Sequence, residues 1–262
     1  MTSPTQPQRW QNFSGAAYTV WEGGTAMDVR LYADIMRQHH TLIAGTTGAG
    51  KSVVLNGLLY IAMCNPPEAA QLVLIDPKRV ELSIYKRLPH CLTYAETPAQ
   101  ALDALRAASR ILDRRLDEMK RRGLTQYDGG GVYVIVDELA DLVLNATYKR
   151  DILDLLQHIG TLGRAAGVHL IAATQAPSRQ TLPARLAVNF TAQLALRCRT
   201  AIESRQIIQQ TGAELLPEHG RGIYYTPKLM RAGYVNIEMI PRDTLADMAA
   251  SWARGIRPQP LP

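Results

Sequence analysis

The residues Gly45–Ser52, GTTGAGKS, constrain this chain more than any other stretch of it. They complete the pattern G-x-x-x-x-G-K-[ST] between an apolar lead-in, TLIAG, and an apolar run-out, SVVLNGLLYIAMC. A buried strand, a glycine-rich turn and a helix in that order make a phosphate-binding loop. Glycines at 45, 48 and 50 let the backbone turn tightly and aim its N–H groups inward, where the helix N-terminus adds its own. Lys51 is expected to reach the β- and γ-phosphates of ATP, and Ser52 to offer its hydroxyl to Mg²⁺. The candidate nucleotide contacts are therefore Thr46, Thr47, Gly48, Ala49, Gly50, Lys51, Ser52 and Val53.

Around this loop, short β-branched runs alternate with longer helical stretches. Strands are predicted at 41–45, 71–76, 92–94, 132–137, 168–174, 191–199 and 222–225, and helices at 51–64, 98–122, 148–166 and 201–210. Such alternation predicts an α/β fold, a mostly parallel sheet with helices on both faces. Runs such as LVLID and VYVIVD are apolar almost throughout, as strands covered on both sides require. The helix from Pro98 has a legible start: Thr97 as N-cap, Pro98 at the first helical position and Gln100 completing a capping box. Its stripe runs Leu105, Ala108, Leu112, Leu116, Met119. Residues near Tyr224 and 234–240 are expected to form an antiparallel edge. Residues 1–17 read as a loose tail, 18–254 as one domain and 255–262 as a disordered, Pro-rich tail.

A second site element is VYVIVDE, residues 132–138. Asp137 falls at the C-terminal end of a buried strand, the end that faces the ligand crevice in parallel sheets. It is the expected Mg²⁺ ligand, and Glu138 the residue that polarises the attacking water. A helix cap is the alternative use of such a carboxylate pair. A third strand ends in Thr174-Gln175; Gln175 is placed to sense the γ-phosphate or orient water, and a plain capping turn fits the same residues.

Charge is +6, from 29 Lys and Arg against 23 Asp and Glu. A basic balance permits nucleic-acid contact without requiring it. Residues 106–122 hold seven Lys or Arg against three acids, and residues 176–205 hold five Arg against one Glu. Cys64, Cys91 and Cys198 form no CxxC pair, which excludes a zinc ribbon or a disulfide framework and fits the cytoplasm. The longest apolar run, 53–64, is interrupted by Asn56 and Gly57 and falls short of the roughly 20 residues a membrane span needs. The N-terminal MTSPTQPQRW has no apolar core, so no signal peptide is expected.

Five segments together resemble the FtsK/SpoIIIE family of DNA translocase motors. They are ADIMRQHHTLIAGTTGAGKSVVLNGLL, LVLIDPKRVELSIYKRLPHCLT, VYVIVDELADLV, GRAAGVHLIAATQAPS and AIESRQIIQQTGAELLPEHGRGIYY. They span residues 31–226 in the family's order. The resemblance implies a RecA-like P-loop NTPase domain that assembles into a homo-hexamer, cleaves ATP between subunits and pumps double-stranded DNA through a pore. It implies an arginine acting in trans, matched by Arg114 or Arg115 in Asp113-Arg114-Arg115, with Arg164 and Arg205 as further candidates. Helix geometry places Arg114 opposite the apolar stripe and Arg115 on its flank, so neither is expected in the core; a solvated basic face accounts for each equally well. By the same resemblance, the loops holding Lys149 and Arg150, and Ser178 and Arg179, face the pore. Contacts there should go to phosphates, which carry no sequence information. The family's membrane segments and its winged-helix domain have no counterpart in this sequence. The competing reading is a secretion or conjugation ATPase of the same kind, moving protein or a nucleoprotein.

Overall fold

The computed structural model describes residues 30–38, 40–175, 177–227 and 232–258. The expected N-terminal tail and the last four residues lie outside these. In chain order the elements are α1 (Arg30–Arg37), β1 (His40–Ala44), α2 (Lys51–Met63), β2 (Ala70–Ile75), β3 (Cys91–Ala95), α3 (Pro98–Arg122), β4 (Gly131–Val136), α4 (Leu139–Val143) and α5 (Lys149–Ala166). There follow β5 (Val168–Thr174), α6 (Ala184–Ala187), β6 (Ala192–Ala195), α7 (Ala201–Ile208), β7 (Arg221–Tyr225), β8 (Gly233–Asn236) and α8 (Arg242–Ala253).

The described strands form one sheet in the order β3-β2-β4-β5-β1-β6-β7-β8. All neighbours from β3 to β6 run parallel, and β7 and β8 join antiparallel. The doubly covered α/β sheet and its antiparallel edge are thus as the sequence predicts. Side chains on a strand alternate between faces. Leu72, Leu74, Tyr133 and Ile135 pack under α1, α2 and α8, while Val73, Ile75, Val132, Val134 and Val136 pack under α3 and α5. Both faces are buried, which is why these strands read as unbroken apolar runs.

Helix α3 begins as expected: Thr97 Oγ1 accepts from the Gln100 amide at 3.2 Å, and Gln100 Oε1 accepts from the Thr97 amide at 3.2 Å. It ends at Gly123 in the left-handed region, φ 66°. The sixth strand is shorter than its apolar run implies. After Ala195 the chain peels off to serve the loops: Arg197 O accepts from the Thr46 amide at 2.9 Å, and the Cys198 amide donates to Ala213 O. The C-terminal α8 carries no clear sequence signal; of it only Leu245 and Met248 are buried. In the segment expected as a C-terminal tail, Arg257 donates to Cys64 O at 3.2 Å.

Candidate active site

The site lies at the carboxyl ends of β1, β5 and β4, which are consecutive in the sheet. β5 separates the phosphate-loop strand from the strand that carries Asp137 and Glu138. The polar residue ending β5 is therefore set between the loop and the two carboxylates.

The loop Gly45–Gly50 carries two glycines in the left-handed region, Gly48 at φ 79° and Gly50 at φ 100°. A Cβ is strained there, so these positions need glycine for the turn that feeds α2. Thr47 and Gly48 are exposed, Thr46, Gly50, Ser52 and Val53 half-buried, and Ala49 buried. Lys51 is only 8% exposed. Its ammonium donates to Gly45 O at 2.6 Å and Thr46 O at 2.7 Å, which fixes it across the loop. Burial pulls its pKa down to about 8, opposed by the charges of Glu138 and Asp137. A cavity of about 550 Å³ opens beside the loop, lined by Thr46 to Ala49 and by Arg197, Cys198, Arg199, Glu214, Glu218 and His219. A larger groove, about 1080 Å³, lies along α3. The smaller cavity is the one that the phosphate loop lines.

Asp137 is 6% exposed and Glu138 3% exposed. Burial raises the Asp137 pKa to about 6, with the neighbouring Asp76 charge adding to the effect. Asp76 ends β2 as Asp137 ends β4, and the pairing Ile75↔Val136 sets the two side by side. Asp76 Oδ2 accepts from the Leu82 amide at 3.0 Å and from the Tyr94 hydroxyl at 3.4 Å, while buried Oδ1 has no partner among the described residues.

Glu138 is held from three sides. Its Oε1 accepts from the Gln175 amide at 3.2 Å and the Ala140 amide at 3.4 Å. Its Oε2 pairs with Lys78 Nζ at 3.2 Å. Glu138 thus does cap the short α4, and it joins the site as well. Gln175 Oε1 in turn accepts from the Thr47 hydroxyl at 2.7 Å. Loop, β5 end and β4 end are connected through Gln175. Lys78 escaped the sequence reading because its partner lies 60 residues away, and only the β2–β4 pairing brings them together. Arg197 and Arg199, which line the cavity, escaped it for the same kind of reason.

The two α3 arginines separate sharply. Arg114 is exposed and lines the groove with Gln71, near the amino end of β2. It does not join the site of its own chain. Arg115 is 8% exposed, which corrects its expected place on the helix flank. Its guanidinium donates to Ala166 O at 2.9 Å, Gly167 O at 3.0 Å and Gly130 O at 2.9 Å, and lies 4.2 Å from the Tyr127 ring centre. Spacings of four, three and four from Ala108 through Leu112 and Arg115 to Met119 put it on the buried side of the helix. There it neutralises the carbonyl end of α5. A side chain so occupied is not free to reach another subunit. Arg164 and Arg205 are exposed.

Lys149 and Arg150 are exposed at the start of α5, and Arg179 is exposed beyond β5. Ser178 is partly tied up locally, its Oγ 3.1 Å from Thr181 Oγ1. Beyond them, Arg185 of α6 pairs with Asp154 of α5 at 3.5 Å.

A glycine-rich loop with a buried lysine, and an aspartate–glutamate pair one strand removed across β5, define a P-loop ATPase. The chain belongs to the FtsK/SpoIIIE family, whose model matches residues 5–131 and 130–179. It is 37% identical over 228 residues to the DNA translocase FtsK of Streptomyces avermitilis, covering 78% of this chain and 24% of that protein. It is 36% identical over 209 residues to the DNA translocase FtsK of Helicobacter pylori, covering 74% and 24%. The chain spans about a quarter of the length of these relatives. The fold is shared with the pCW3 conjugation coupling protein TcpA in its monomer form with ATPγS (TM-score 0.72, 20% identity, 82% of this chain and 65% of that one). It is also shared with the cytoplasmic domain of the type VII secretion ATPase EccC of Thermomonospora curvata (TM-score 0.68, 24% identity, 85% and 28%). No helix among the described residues is long and apolar enough to cross a membrane.

Proposed function

We propose that this chain is a motor that hydrolyses ATP to move along double-stranded DNA in the cytoplasm, assembled as a homo-hexameric ring with ATP at the seams between subunits. The observation that carries this reading is the link from Thr47 through Gln175 to Glu138, which joins the phosphate loop to the carboxylate that would activate water. Relatives named as DNA translocases, at 36–37% identity, favour DNA over a protein substrate.

In this reading the loop amides and Lys51 hold the β- and γ-phosphates. Asp137 and Ser52 would hold Mg²⁺. The fit is chemical: two buried carboxylates lie side by side, one with an unpartnered oxygen, and an all-oxygen donor set suits a hard cation. Held there, Mg²⁺ would supply countercharge to the phosphates. Glu138 takes a proton from the water as its oxygen bonds to the γ-phosphorus. The bond to the bridging oxygen breaks, leaving ADP and phosphate. Gln175 positions Glu138 through its amide. Arg114, exposed and remote from its own loop, is the α3 arginine available to a neighbouring subunit. Lys149, Arg150, Ser178 and Arg179 grip DNA phosphates without reading sequence.

The test is ATP turnover with and without long duplex DNA at low salt. Stimulation by duplex that fades steeply with added salt is expected. No stimulation, together with saturable binding of a peptide export signal, would transfer the chain to the secretion reading.

A further inference from the structure

We infer that Lys78 is a positioning residue for Glu138: it covers the carboxylate's second oxygen, so that its departure sets the basal rate of hydrolysis. The inference rests on Glu138 being the group that activates water.

The geometry makes Lys78 the movable member of the cluster. Two of the donors to Glu138 are the backbone amides of Gln175 and Ala140, fixed by β5 and α4. The third is a long, flexible side chain. Its 38% exposure contrasts with 4% for the glutamate side chain. An ammonium bonded to Oε2 competes with a water proton for the same lone pairs. While Lys78 stays, three of the carboxylate's roughly four lone-pair sites are taken and an ammonium sits on Oε2, and turnover is held back until one side chain swings toward solvent.

The turn that presents Lys78 is built for this and is strained. Pro77 fixes its own φ. Arg79, next in sequence, adopts φ 60°, a left-handed conformation that a residue with a Cβ rarely takes. Its amide donates to Asp76 O at 3.1 Å, closing the turn. Buried Asp76 pins the far side through the Leu82 amide. Strained non-glycine backbone beside a reactive group is a common mark of a switch segment. Beyond the turn, Val80 and Ile84 are exposed apolar side chains, so a body pressing on this surface would act directly on the turn.

The experiment compares steady-state ATP turnover, with Mg²⁺ and without DNA, for the full chain and for Lys78→Ala, Lys78→Met, Lys78→Arg and Glu138→Gln, with a fluorescent ATP analogue reporting binding. Removing the ammonium in Lys78→Ala or Lys78→Met should raise kcat about three- to tenfold and leave KM and analogue affinity as they are. Lys78→Arg keeps the pair and should restore the slow basal rate. Adding Glu138→Gln to Lys78→Ala should return turnover to that of Glu138→Gln alone. If Glu138→Gln is inactive but both neutral Lys78 variants turn over at or below the wild-type rate, or lose analogue binding, the inference is overturned while the Glu138 reading stands. If Glu138→Gln turns over normally, the reading of Glu138 falls first and takes this one with it.

Discussion

The ends of β2 and β4 look alike in sequence. Each closes an apolar run with an aspartate, each aspartate is buried, and the two lie side by side. They differ in what their oxygens do. Asp76 uses Oδ2 to hold the following turn, through the Leu82 amide and the Tyr94 hydroxyl. Asp137 has no hydrogen-bond partner for its carboxylate among the described residues; what raises its pKa is burial and neighbouring charge. One carboxylate builds structure, and the other, in the proposed function, is left to hold a ligand. Adjacent Arg114 and Arg115 divide the same way, the first exposed and the second consumed by three backbone carbonyls. A residue type at a suggestive position is therefore only half an argument for function; whether its polar atoms are already engaged is the other half.

The largest effect that sharpens this contrast belongs to the β4 end. Glu138→Gln should lower ATP turnover by about 100-fold or more while a fluorescent ATP analogue still binds. Next comes the arginine pair. Arg115→Ala should cost about 3 kcal/mol of stability, since it leaves buried carbonyls unpaired, whereas Arg114→Ala should stay within about 0.5 kcal/mol in denaturant unfolding. Equal losses would erase the distinction. Smaller again, Asp76→Ala should cost about 2 kcal/mol by freeing the Leu82 amide, whereas Asp137→Ala should cost activity and leave the melting temperature unchanged or higher.

The smallest effect is a pH dependence. With its folded pKa near 6, above the usual 3.8, Asp137 is protonated in the fold over a window where it is ionised in the unfolded chain. Its stabilising contribution is whole below pH 3.8 and is lost as pH rises through about 6. Asp137→Asn should therefore raise the melting temperature at pH 7.5 by about 2 °C or more and change it little at pH 4. Equal shifts at both pH values would show that Asp137 ionises as a solvent-exposed aspartate does.

How much was legible follows from how local each signal is. The phosphate loop, the α3 capping box and the apolar strands are set by residues a few positions apart, and each appears where the sequence places it, save that β6 stops at Ala195. The doubly covered sheet follows from runs such as VYVIVD. Contacts made by strand order were not legible: Lys78 meets Glu138, and Arg197 lines the nucleotide cavity, only because β2 lies against β4 and β6 against β1. Helix geometry alone puts Arg115 on the flank of the apolar stripe; the three carbonyls that draw its guanidinium inward come from residues 15 to 52 positions away. Helix α8 was missed because two buried residues make too narrow a stripe to stand out.

The 2.7 Å bond between Thr47 and Gln175 has a mechanical corollary. Gln175 stands three positions ahead of Ser178 and four ahead of Arg179, with Pro177 between them. A proline in so short a connection removes one of its few soft rotations. Displacement of Thr47 would thus reach Ser178 through a link only three positions long in sequence, one of whose rotations is fixed.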